Sequence, residues 1–437
     1  MAVWAKTGER GVHIGSAEWT LLPALAAFSL VNYVLRTNIS VAAQFMMPEL
    51  RLSQADMGQV FSAFMLAYAI FQTPAGVAGD RFGPRKVLTI AALAWFATTL
   101  LTGALPGLGL ASAGGAFLSL LTTRFVLGAA EAATYPVATR AIASWIPFER
   151  RAFANGVLTA GMAVGSACTP PIIAWLMVRR GWRECFYLTS ALPLLLAAAW
   201  WKYSGGLERR FPTTAPAASP VQPGASWWTL LKNHDMALLS ISYFLESYIQ
   251  YIFLLWFFLY LVDVRGFTIV NGGFATSLPY VVAMASMPLA GYSSDWLAAR
   301  YGRGRGRRAV TLTGFCAAAA LLLFGADSTT AYIAVASISL SVGLVLSTEG
   351  PFWSTATDIA GPHAGAAGGI MNTAGNLAGV ASSSLVPVLV REFGWTGVFL
   401  SSAALCVLAG ALWLLIRFPE ARPAIEEQSE LEGDLSW

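Results

Sequence analysis

Charge is what this chain has least of. Only 11% of its 437 residues are charged, less than half of the about 25% typical of a soluble domain, while 56% are hydrophobic. That excludes an ordinary soluble globular protein. Lys and Arg outnumber Asp and Glu by only 27 to 23, far too thin a basic excess for a nucleic-acid face, so nucleic acid is excluded as a partner. Cysteine and histidine are scarce too. Cys168, Cys185, Cys316 and Cys406 lie far apart in or beside apolar runs without CxxC or Cys/His spacing, so they read as inert small hydrophobes. His13 and His234 fall outside the apolar runs and His363 follows Pro362 in an expected cytoplasmic loop, and no metal or cofactor is expected. No phosphate-binding loop or nucleophile elbow occurs, so no catalytic residue is assigned and an enzyme is the least expected reading. The residues up to Ala17 contain no apolar core with a small-residue cleavage site, which predicts an uncleaved start that stays in the cytoplasm.

Long apolar runs are abundant. A membrane span needs about 20 apolar residues, and charge-free runs cover Met57–Gly79, Val87–Thr123, Ala152–Val178, Gly266–Ser294, Ala309–Ala326, Ser328–Thr348, Ile359–Val390 and Phe393–Ile416. Val87–Thr123 is read as one span plus the start of the next. Helices around Arg36, Glu131 and Glu246 and one at Phe186–Trp201 bring the count to twelve. With the start inside, nineteen Lys and Arg fall in cytoplasmic segments against six outside, the bias expected of a multi-pass inner-membrane protein with both termini cytoplasmic. The run RYGRGRGRR reads as part of that topology signal.

The segment Ser204–Ser226, with four prolines and no apolar period, reads as a linker. The expected organisation is a cytoplasmic start (1–18), a six-helix bundle (19–203), a linker (204–235), a second six-helix bundle (236–418) and an acidic tail (419–437). The halves also repeat. Gly76, Asp80 and Arg85 recur in the second half as Gly291, Asp295 and Arg300, all at one displacement; Gly156, Gly181, Trp182 and Phe186 recur as Gly369, Gly394, Trp395 and Phe399 at nearly the same one. Two parallel halves around a central site is a secondary-transporter architecture.

GDRFGPRK at Gly79–Lys86 resembles the loop between the second and third helices of the major facilitator superfamily. More narrowly, NYVLRTNISVA, AYAIFQTPAG, RFVLGAAEAATYPVATRAIASWIPFERR and DIAGPHAGAAGGIMNTAGNLAG resemble the anion:cation symporter family. The resemblance covers most of the chain and implies an all-α membrane fold of twelve helices in two pseudo-symmetric bundles. It further implies carriage of sugar acids or other organic anions, usually coupled to protons.

Asn32, Arg36, Ser40 and Gln44 recur every four residues, forming one polar stripe on the first span with Tyr33 and Thr37 beside it. An arginine at mid-membrane costs about 2.5–3.5 kcal/mol, so Arg36 must pair or face water; the resemblance makes it the substrate-carboxylate ligand. Arg124 and Glu131 share a face of the fourth span, about 10 Å apart at 1.5 Å per residue. A desolvated carboxyl there can take a proton at physiological pH. The resemblance makes Glu131 the proton carrier with Arg124 near it, and an ion pair of Glu131 with Arg36 or Arg124 is the structural alternative. Leu35 stands where bacterial family members usually have an acid, so two buried acids outside the family pattern, Glu246 and Glu349, are further proton-coupling candidates. Either could instead bind an amino or hydroxyl group of the substrate. With Arg36, the expected substrate ligands are Tyr33, Tyr68, Gln72, Arg124, Trp353, Asn372 and Asn376, while Asp80, Arg81, Arg85, Asp295, Arg300 and Asp358 are expected to latch or gate helix ends.

These readings converge on a proton symporter importing an organic anion, most plainly a sugar acid or related carboxylate. Its partners are the substrate, protons and the bilayer, and a monomer is expected. Two alternatives remain: an organic-phosphate exchanger, disfavoured because Tyr243–Val262 carries no basic residue, and a transporter-like anion sensor.

Overall fold

A computed structural model describes residues 16–107, 113–146, 151–210 and 228–418, and these are helical with no strand among them. The start, much of the expected linker and the acidic tail lie outside the described residues. The helices are α1 (Ser16–Leu50), α2 (Gln54–Phe82), α3 (Pro84–Ala104), α4 (Ala113–Glu131), α5 (Thr134–Trp145), α6 (Arg151–Arg210) and α7 (Trp228–Leu231). They continue as α8 (His234–Asp263), α9 (Ile269–Tyr301), α10 (Arg303–Asp327), α11 (Ala331–Ser347), α12 (Glu349–Ala360) and α13 (Ala364–Leu415).

Ten segments among the described residues are long and apolar enough to cross a membrane. Two of them double back, which makes twelve crossings. The reversals fall at Gly181 in α6 (φ 80°) and Gly394 in α13 (φ 65°), a left-handed backbone that glycine adopts without the Cβ clash other residues suffer. The repeated Gly-Trp pairs are therefore the corners between the fifth and sixth and the eleventh and twelfth spans.

The fourth and tenth spans are each broken. α4 gives way to α5 after Glu131, and α11 to α12 around Thr348. Pro136 and Pro351, related by the same displacement as Asp80 and Asp295, each stand third in the helix after the break. A proline inside a helix removes one backbone N–H and crowds the carbonyl four residues back, which is where each ladder fails. Ser53 and Asp56 form a capping box at the start of α2, and Asn233 and Thr268 cap α8 and α9.

Each half has its own aromatic core. In the first, Phe28 meets Trp95 at 5.8 Å and Trp200 at 5.3 Å; in the second, Phe352 meets Trp413 at 5.1 Å and Phe315 at 6.3 Å. Between halves, α2 packs on α13 and α6 on α9. Exposed Ile90, Leu195 and Leu289 supply the apolar outer surface a bilayer requires. α8 differs: Phe253, Trp256, Phe257 and Phe258 are each about 1% exposed, so these aromatics are packed rather than lipid-facing.

Val87–Thr123 divides into α3 and the start of α4, as expected. Two expected boundaries move: the tenth span runs on to Ala360 so that the eleventh begins at Ala364, and α6 runs to Arg210 inside the segment expected to be linker. Between the tenth and eleventh spans the apolar run is continuous across a turn of small or polar residues, whereas α6 continues as helix through SGGLERR past the end of its apolar run.

Candidate substrate cavity

A cavity of about 1040 Å³ lies between the halves. Its lining runs from Tyr33, Arg36, Tyr68 and Tyr251 at mid-depth to Gly76, Thr139, Gly350 and Gly365 toward the end that carries the Gly79–Lys86 loop. At the other end the halves are tied together: Gln44 Nε2 donates to Asp263 Oδ1 at 2.8 Å, and Ser62 Oγ donates to the Val380 carbonyl at 3.1 Å and meets Ser384 Oγ at 2.8 Å.

The polar stripe of α1 is divided along its length. Asn32 Nδ2 donates to Thr134 Oγ1 at 3.1 Å, pinning α1 to the break of the fourth span. Gln44 makes the end contact just described. Arg36 between them faces the cavity. It is 4% exposed, and its Nη2 donates to Tyr251 Oη at 3.3 Å and approaches Met65 Sδ at 3.5 Å. The guanidinium carbon lies 4.6 Å from the Tyr68 ring centroid, 5.2 Å from Phe64, 5.5 Å from Tyr33 and 5.8 Å from Tyr251, within the range of cation–π attraction. No carboxylate forms an ion pair with Arg36 among the described residues, and its buried Nε has no partner.

Of the expected substrate ligands, Tyr33, Arg36, Tyr68, Gln72, Trp353, Asn372 and Asn376 are brought together around this one cavity. Asn372 Nδ2 donates to Gln72 Oε1 at 2.7 Å, bridging the halves, and Asn376 Nδ2 donates back to the Asn372 carbonyl at 2.9 Å. Arg124 is the exception. It is not on the cavity wall; its guanidinium donates to the Leu35 carbonyl at 3.0 Å and to Asn38 Oδ1 at 3.2 Å, so it fastens α4 to α1 directly behind Arg36.

Glu131 closes α4 at the break, is fully buried, and neither carboxyl oxygen has a hydrogen-bond partner. It forms no ion pair with Arg36 or Arg124 here, although both lie within electrostatic reach. The structural ion-pair alternative is therefore not realised in this conformation. Glu246 is also fully buried, accepts one bond from Ser247 Oγ at 3.2 Å, and sits off the cavity wall. Glu349 is on the wall. It accepts from Tyr243 Oη at 3.2 and 3.3 Å and from Trp353 Nε1 at 2.8 Å.

The expected gating residues separate into three groups. Asp80 pairs with Arg140 at 3.3 Å and Arg85 with Glu208 at 3.3 Å, while Asp358 bonds Arg307 and reaches Arg303 at 3.7 Å. Each of these pairs lies within one half. Arg81 and Arg300 rest over neighbouring rings, of Phe82 and of Trp296 and Tyr301. Asp295 is exposed and forms no ion pair among the described residues.

Sequence reading passed over Tyr251, Arg140, Glu208 and Arg307. Tyr251 had a signal: Tyr243, Ser247 and Tyr251 recur every four residues on α8, and Tyr251 stands 215 residues after Arg36, the displacement that also relates Asp80 to Asp295.

A bundle pair with an aromatic-lined cavity between its halves, carrying the buried Arg36 and the acid Glu349, is a transporter's architecture rather than an enzyme's. The Major Facilitator Superfamily model matches residues 25–383, and the chain belongs to that superfamily. It is 33% identical over 86% of its length to a probable sulfoacetate transporter of Cupriavidus necator, covering 87% of that protein. It is 30% identical over 93% of its length to a hexuronate transporter of Bacillus subtilis, covering 95% of it. Among solved structures it resembles a bacterial homologue of the human lysosomal transporter Spinster in an inward-facing, occupied conformation, with a TM-score of 0.73 at 18% identity, over 93% of this chain and all of that one. It also resembles a D-xylose–proton symporter, with a TM-score of 0.73 at 16% identity, over 93% of this chain and 99% of that one.

Proposed function

We propose that this protein imports an organic acid anion, a sugar acid or related carboxylate, by proton symport with alternating access. The observation that carries the reading is Arg36: a buried guanidinium on a cavity wall, held by aromatic faces and hydroxyl and thioether contacts, with no carboxylate among the described residues to neutralise it. A planar carboxylate matches the guanidinium fork. The relatives named for sulfoacetate and hexuronate support an anionic substrate, and the amides of Gln72, Asn372 and Asn376 supply donors and acceptors for its polar groups.

Glu131 carries the proton. A buried carboxyl without a hydrogen bond is most cheaply held neutral, and Glu131 sits in the same half as Arg36, within electrostatic reach of it. Proton and substrate then bind together: the anion offsets Arg36 while the proton offsets Glu131, so neither of these two groups of the first half is left uncompensated as the carrier closes. Release of both leaves Arg36 and Glu131 to compensate each other during reset. On this reading the Gly79–Lys86 end and both termini face the cytoplasm, a cavity reached from that end is the inward-open state, and the working unit is a monomer in the inner membrane.

The test is internal acidification of proteoliposomes on external addition of sugar acids, aromatic acids and dicarboxylates. One class of acid should acidify the lumen, and Glu131→Gln should abolish the signal. Labelled anion moving with no pH change, and only against internal anion, would replace symport with exchange; binding without any flux would replace it with sensing.

A further inference from the structure

The cavity has two charged walls of opposite sign. Arg36 stands on the α1 wall and Glu349, the first residue of α12, on the wall of the other half. Neither forms an ion pair with any group of the chain among the described residues. Both line the one cavity, as does Tyr33, so the poles belong to one site. The repeat does not require this acid: the residue of the first half that the displacement sets against Glu349 is Thr134.

The surroundings of Glu349 are those of an acceptor facing aromatic rings. It accepts from the Tyr243 hydroxyl and the Trp353 indole, and two donors leave about half of the roughly four lone-pair sites of a carboxylate available. The two donor rings meet edge to face, with centroids 6.3 Å apart at 77°. Trp353 is 42% exposed although it lies inside the bundle, because its exposed surface is cavity wall. Gly368 makes room for the indole: a methyl there would come within 2.9 Å of Trp353 Cζ3.

We propose that Glu349, with the Tyr243 and Trp353 rings, holds a positively charged nitrogen of the substrate, so that the cavity selects carboxylates that also carry an ammonium or quaternary ammonium group. A simple anion would neutralise Arg36 and leave the opposing acid uncompensated, which is costly in a low-dielectric cavity. A substrate hydroxyl could bond Glu349 but would bring it no charge. A cationic nitrogen supplies the charge and finds ring faces suited to it. The proposal rests on Arg36 as the carboxylate site and narrows which carboxylates fit; amino-substituted sugar acids satisfy both readings.

The experiment is equilibrium binding to purified protein in nanodiscs at one pH, using matched pairs that exchange a hydroxyl for an ammonium: gluconate against 2-amino-2-deoxygluconate, and 4-hydroxybutyrate against 4-aminobutyrate. The ammonium member of at least one pair should bind about tenfold tighter. Glu349→Gln should collapse that ratio to within about twofold of unity, while Glu349→Asp, which keeps the charge, should retain most of it. Thermal unfolding of each variant separates lost recognition from lost fold. Equal or tighter binding of the hydroxy members by the native protein, or a preference that survives Glu349→Gln, would overturn the inference while leaving the carboxylate reading intact. Failure of every carboxylate in both pairs to bind would overturn that reading and this one together.

Discussion

The two halves share a backbone plan and differ in chemistry. Both break their fourth span ahead of a proline, and both turn at a glycine of positive φ. Their charges have diverged on that common frame. The first half places Arg36 at mid-membrane, and its counterpart by position in the second is Tyr251, which accepts the arginine's hydrogen bond across the interface. Glu131 precedes its break and is partnerless, whereas Glu349 follows its break and is bonded by two aromatic donors. A duplicated scaffold thus presents a cationic wall and an acidic wall to one cavity. The two halves share their breaks and corners and differ in the charged groups they present to the cavity.

The sharpest way to break this comparison is to remove each member of the Arg36–Tyr251 pair in turn. Arg36→Ala should weaken carboxylate binding about 100-fold, the scale of stripping one partner from a desolvated charge pair. Tyr251→Phe keeps the ring and loses one hydrogen bond, and should cost about fivefold. Isothermal titration would read both, and equal losses would mean that the anion sits on the interface rather than on the α1 wall.

A smaller asymmetry lies at the helix ends. Asp358 meets Arg307 with the two side chains only 17% and 9% exposed, whereas the Asp80 side chain, paired with Arg140, is 64% exposed. Asp358→Asn, which strips Arg307 of its shielded partner, should destabilise the protein by about 2 kcal/mol. Asp80→Asn should cost under about 1 kcal/mol because solvent screens that pair. Denaturant or thermal unfolding in one detergent would order the two, and the reverse order would contradict the burial argument.

Much of this was legible in the sequence because membranes simplify the code. Charge-free runs mark the spans, the near-constant displacement of Gly-Trp marks two equivalent corners, and Arg36 announces itself as a charge that lipid will not accept. What was not legible depends on partners far away in the chain. Arg124 and Glu131 share a helix face, yet Arg124 spends its hydrogen bonds on Leu35 and Asn38 of the first span, a choice no local period reveals. Asp295 and Arg300 repeat Asp80 and Arg85 by position, but form no ion pair among the described residues, while Asp358 pairs with Arg307 and Arg303. The sequence repeat marks equivalent positions of the frame, and the side-chain contacts at those positions differ between the halves.

The central claim is that substrate binding and proton carriage rest on different residues of the first half. It is tested most directly by measuring two fluxes in one preparation of Glu131→Gln proteoliposomes: exchange of labelled for unlabelled substrate at equal pH, and accumulation driven by an imposed pH gradient. The account predicts that exchange persists at about the native rate while gradient-driven accumulation falls to the leak. Accumulation that survives the substitution would contradict it.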